Sequence, residues 1–82
     1  MNANKPEPTA DDTYAARRND IARLLDVLEM ELDRHAAEAK AKPGDWGFPG
    51  SLAKVRGDLI GLVGFLSNQD PDAIEAFLND AE

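Results

Sequence analysis

From Leu52 to Leu66 the apolar residues recur at a 3-4-3-4 spacing: Leu52, Val55, Leu59, Leu62 and Leu66. That interval lays one apolar stripe along an α-helix. At 100° per residue, Ala53, Gly57, Gly61 and Gly64 form a second stripe, turned well over 90° from the first. Three glycines within a helix cost roughly 3 kcal/mol against alanine. Close approach of another helix along that smooth face is the expected compensation. A second periodic segment runs through Tyr14, Ile21, Leu24, Leu25, Leu28, Leu32, His35, Ala36 and Ala39. It predicts a long helix that begins at Asp11, Asp12 or Thr13, which are good N-cap types. It ends at Lys40 and Lys42, cations placed where the helix dipole favours them. Pro43-Gly44 stops it.

Lys42-Pro-Gly-Asp-Trp-Gly-Phe-Pro-Gly50 then reads as a loop, with Gly50 or Ser51 capping the second helix, which ends around Leu66–Asn68. Trp46 and Phe48 are costly to leave in water. Leucines give way to alanine at 36, 37, 39 and 41, and that thinning makes room for the Trp46 ring over Ala36, Ala39 and His35. Asp70-Pro71-Asp72 restarts a short helix with Asp as N-cap and Pro at the first helical position. Ile74, Phe77 and Leu78 form its apolar face, and it runs out by Ala81. About 29 residues in the first helix span roughly 43 Å, whereas about 17 in the second span only ~26 Å. The third helix is therefore expected to cover the free end of the first, near Tyr14 and Ile21, with Asp72, Glu75 and Asp80 within reach of Arg17, Arg18 or Arg23.

The fold expected is all-α: an antiparallel helical hairpin of a long helix, a Gly/Pro/aromatic loop and a second helix, plus a short C-terminal helix. Dimerisation completes it as a bundle. Residues 1–10, polar with two prolines and no periodicity, read as a disordered leader, and 11–82 as a single helical domain. Eighty-two residues lie near the lower size limit for an unaided core, and with no cysteine there is no disulfide to add stability. Self-association is the remaining source of burial. No apolar run approaches the ~20 residues of a membrane span, and no apolar signal core opens the chain, so a cytoplasmic protein that does not engage membrane is expected.

The net charge of −7 changes the picture only when it is divided along the chain. Residues 13–42 and 43–69 each cancel, and the acid is concentrated in the first twelve residues and in 70–82, where Asp70, Asp72, Glu75, Asp80 and Glu82 have no base among them. A neutral body with acidic ends argues against nucleic acid as a partner, and mimicry of DNA would need acid over the folded body itself.

Candidate chemistry is sparse. His35, the only histidine, has Glu31 and Glu38 one turn to either side, but the other helices offer no further histidine to complete a metal site. Packing of His35 beside Trp46 is the plainer reading, and no metal or other cofactor is expected. Ser51 and Ser67 sit at helix ends, where serine caps, and no second histidine exists to build a relay. The glycines lie within a helical period rather than ahead of one, so they are not a phosphate loop. Gly57-x3-Gly61 has the spacing of a membrane packing motif, but Lys54, Arg56 and Asp58 are interleaved with it. Val27 and Met30 lie about 200° away from the first helix's stripe and suggest a second contact surface.

The expected function is therefore a small non-enzymatic protein–protein interaction module that forms a homodimer. Gly57, Gly61, Gly64, Val27 and Met30 are the candidate interface, and Trp46 and Phe48 a structural loop. The alternative is an accessory or regulatory subunit, of a bacterial or phage complex, that docks through its acidic C-terminal helix.

Overall fold

The computed structural model describes residues 7–80. The described residues form three helices and no strand. They are α1 (Ala10–Ala41), α2 (Gly47–Ser67) and α3 (Pro71–Asp80). The chain divides into two units, with the boundary between Ala41 and Lys42. Of the segment expected to be a disordered leader, residues 1–6 lie outside the described part, and 7–9 precede α1.

The first unit is built on α1, 32 residues long, or about 48 Å at 1.5 Å per residue. Its cap lies earlier than the Asp11–Thr13 cluster. The Asp12 N–H donates to Thr9 Oγ1 at 3.0 Å, while the Thr9 N–H donates to Asp12 Oδ2 at 3.4 Å. This is a reciprocal capping box with Asp in the place usually taken by Glu. Asp11 and Asp12 also put negative charge in the first turn, and Lys40 puts positive charge in the last. No residue of α1 is buried, and its half-buried positions within the helix body are Leu28, Leu32, His35 and Ala39.

The second unit opens on a tight turn. Pro43 presets the backbone, Gly44 takes φ +85°, and the Asp45 N–H closes the turn on the Lys42 carbonyl at 3.3 Å. Glycine is needed there because a Cβ is strained at positive φ. The α2 helix then starts at Gly47, earlier than the expected Gly50 or Ser51. Asp45 makes the early start possible: its Oδ1 accepts from the Gly47 N–H at 2.8 Å. Pro49 is tolerated because it falls in the first turn, where a backbone N–H has no helical partner. The loop expected over 42–50 is correspondingly shorter.

At its other end, α2 stops at Asn68, which adopts the left-handed conformation with φ 59° and ψ 37°. The Asn68 and Gln69 N–H groups both donate to the Gly64 carbonyl, the latter at 3.0 Å. The Asp70 carbonyl then accepts from Ala73 at 2.9 Å and from Ile74 at 3.3 Å as α3 begins on Pro71, the start expected from Asp70-Pro71.

This turn folds α3 back onto α2. Ile60 is the only buried hydrophobic side chain among the described residues, at 8% exposure, with Gly64 buried beside it on the helix surface. Ile74 and Leu78 are half-buried on α3, and Arg56 pairs with Glu75 at 2.9 Å. Glu75 was expected to reach Arg17, Arg18 or Arg23, and its observed partner is Arg56. Phe77, expected to face inward with Ile74 and Leu78, is 69% exposed.

Candidate interaction surface

The face of α2 turned to α3 is not its leucine stripe. Arg56, Ile60 and Gly64 follow one another at four-residue steps and span about 80° of the helix surface. The stripe of Leu52, Val55, Leu59, Leu62 and Leu66 is centred roughly 120° away. Val55 and Leu59 are half-buried, while Leu52, Leu62 and Leu66 are exposed, as are Val63 and Phe65. A short helix takes the smaller-residue side of α2, and the larger apolar side stays open to solvent within this unit.

The three candidate glycines separate in the same way. A Cβ built on Gly64 would lie 2.8 Å from the Gln69 carbonyl oxygen, a backbone atom that cannot swing aside. At Gly64 the space is taken by the chain's own turn into α3 rather than by another helix, the neighbour expected along the glycine face. A Cβ on Gly57 or Gly61 would meet nothing within 4 Å. Those two glycines have no intrachain contact that requires them.

On α1, Val27 and Met30 are both exposed, as the helical wheel predicts for positions off the main stripe. So too, however, are the stripe residues Tyr14, Ile21, Leu24 and Leu25. Trp46 departs most from the sequence reading. It was expected to be buried over Ala36 and Ala39; instead it is the N-cap residue of α2 and is 83% exposed. The alanine run made room for a ring, but the cap geometry set by Asp45 determines where residue 46 stands. Phe48 is half-buried in the first turn of α2.

His35 is half-buried, and Glu31 and Glu38 both turn to Arg34. The Arg34 Nε and NH2 donate to Glu31 Oε1 at 2.9 and 2.6 Å, and NH1 donates to Glu38 Oε2 at 3.0 Å. These contacts, the Glu31 hydrogen bond first, hold the guanidinium above its ordinary pKa. Arg34 is what the trio of Glu31, His35 and Glu38 concealed: it sits at i+3 and i−4 from the two acids, the spacing at which helical ion pairs form. On α2, Lys54 donates to Asp58 at 2.6 Å, and this bond raises its pKa as well. Among the described residues no group of three or more His, Asp or Glu side chains is arranged to hold a metal ion. Both serines of α2 turn back on their own helix: Ser51 donates to the Gly47 carbonyl and Ser67 to that of Val63.

What remains is a set of apolar surfaces. Among the described residues thirteen large hydrophobic side chains are exposed, distributed over all three helices and the 46 position. None of the described helices is long and apolar enough to cross a membrane. No protein-family model matches the chain, and no curated protein or solved structure matches it either.

Proposed function

We propose that this chain is a small non-enzymatic protein–protein interaction module that works as a homodimer, two helical hairpins completing one bundle. The observation that carries this reading is the contrast, among the described residues, between one buried hydrophobic side chain, Ile60, and the largely open stripes of α1 and α2. A helix gains most of its stability from the tertiary packing of its apolar face. Leu24, Leu25, Leu62 and Leu66 therefore call for a cover. A second copy supplies surfaces of the same kind, and a two-fold arrangement buries both at once. Gly57 and Gly61 are the α2 positions at which a further helix can approach closely.

Sedimentation equilibrium of the purified chain tests the proposal. Twice the chain mass at micromolar concentration, dissociating on dilution, is expected. A monomer throughout the micromolar range would sink it.

One observation favours the runner-up, an accessory subunit that docks through α3. Phe77 stands exposed between Asp72 and Asp80 on an acidic helix, the form of a peptide offered to a partner's apolar groove. Under that reading Phe77→Ala abolishes capture of the partner and leaves the sedimentation behaviour unchanged.

A further inference from the structure

The polar and apolar positions of α1 match themselves best when the helix is turned end for end. Tyr14, Arg18, Ile21, Leu25, Leu28, Leu32, His35 and Ala39 follow a 4-3-4-3 spacing through the whole body of the helix, the seam of a two-stranded coiled coil. We propose that the partner of this seam is α1 of a second copy, running antiparallel, in the register that sets Leu25 against Leu28. The inference deepens the homodimer reading and rests on it.

Three features select that arrangement. First, a parallel pair stacks each seam residue on its own copy, which puts Arg18 against Arg18 and leaves Tyr14 crowded on Tyr14 and Ala39 facing Ala39 across a void. The antiparallel register instead pairs Leu25 with Leu28, Ile21 with Leu32, and the large Tyr14 with the small Ala39 of the second copy. Arg18 now faces His35 rather than its own copy, which keeps the polar layer apart from the leucine layers, and the volumes at the Tyr14–Ala39 ends are complementary. Second, the seam's flanks are charged in opposite senses at the two ends: Arg17 lies beside the N-terminal half, and Glu29, Glu31 and Glu38 lie beside the C-terminal half. Turned end for end, Arg17 falls beside Glu38 of the second copy, twice per dimer, where Glu38 also accepts from Arg34 of its own helix at 3.0 Å; the parallel alignment sets Arg17 beside Ala22 and forms no such pair. Third, Ala15, Ala22 and Ala36 occupy three of the four positions on the opposite flank, and the fourth, Glu29, falls beside the small Ala22 of the second copy. Of the residues that supply the central layers, Ile21 and Leu25 are exposed and Leu28 and Leu32 are half-buried within the chain.

The chain has no cysteine, so single cysteines report orientation without background. Full-length Tyr14→Cys and Ala39→Cys chains, one carrying a mass tag, are mixed, allowed to exchange and oxidised mildly. A disulfide joining the two different variants is the expected product. Residues 14 and 14 of the two copies would stand roughly 37 Å apart, too far to bridge. Same-variant disulfides would overturn the antiparallel register while leaving a dimer. A dimer in sedimentation without any cross-link would place the interface elsewhere, and a monomer would remove the homodimer reading with it. A charge swap provides a second measurement in the native background. Glu38→Arg is expected to weaken association about fivefold at low salt, and Arg17→Glu added to Glu38→Arg to recover part of it, since the lost Arg34–Glu38 pair is common to both variants. Equal loss in the single and double variants counts against the pairing.

Discussion

At Gly64 a hydrogen atom in place of a methyl group determines how the chain turns. The residue is buried, its carbonyl accepts from the turn that follows, and the Gln69 carbonyl oxygen occupies the space a Cβ would need. Gly64→Ala is accordingly expected to cost about 1–3 kcal/mol, because backbone on both sides must move. Gly57 and Gly61 sit in the same helix with open space at the Cβ position. At chain concentrations below self-association, alanine at either should stabilise by about 0.5–1 kcal/mol, the ordinary gain over glycine within a helix. Urea titration of the three variants reads the sign directly. Equal effects at 57 and 64 would mean that the turn does not press on Gly64. The spacing alone presents these glycines as one stripe; only the path of residues 69–71 separates them.

At the scale of elements, the sequence is most legible where punctuation is local and least where partners are distant. Asp70-Pro71 predicts the start of α3 to the residue, since N-cap, Pro and acid are all read within one turn. The end of α1 follows in the same way from Pro43-Gly44. The start of α2 does not, because Gly47-Phe-Pro-Gly50 looks like a helix breaker until the Asp45 carboxylate is seen to cap it and Pro49 to fall in the first turn. The Thr9–Asp12 capping box was legible but yields to the more conspicuous acids beside it. Periodicity identifies the apolar stripe of α2 but not its partner: α3 chooses the Arg56–Ile60–Gly64 side because a three-residue connection through a left-handed Asn68 leaves it little choice. That connection is itself testable. A non-glycine residue in the left-handed region costs roughly 1–2 kcal/mol, and asparagine tolerates it best. Asn68→Gly should leave α2–α3 intact or slightly firmer. Asn68→Val should loosen it, seen as faster amide exchange at residues 73–78 than in the parent chain. If exchange there is the same in both variants, Asn68 does not govern the packing of α3.

At the scale of the molecule the question is whether so few buried side chains can hold an ordered chain. Fixing one residue's backbone costs about 1–2 kcal/mol, and apolar burial is the principal term that offsets it. With Ile60 the one buried hydrophobic side chain among the described residues, the homodimer proposed above would supply most of the burial a chain of 82 residues needs. Stability should therefore depend on concentration, as it must when the folded species is a dimer. A tenfold increase in chain concentration shifts the dimer's unfolding equilibrium by about 1.4 kcal/mol, since that is what one factor of ten is worth at room temperature. Two chains of this length carry an unfolding entropy of roughly 0.34 kcal/mol per kelvin, from the usual value per residue. Tm is then expected to rise by about 4 °C for each tenfold increase in concentration. Calorimetry across two decades of concentration checks it. The Trp46 ring, 83% exposed, should emit near the wavelength of free indole in the dissociated chain, so fluorescence followed through the same dilution series reports whether association covers it. A Tm that stays constant while the transition remains cooperative would show that a single chain supplies its own cover. The open stripes of α1 and α2 would then have to close on each other, leaving α3 with its exposed Phe77 as the surface offered to a partner.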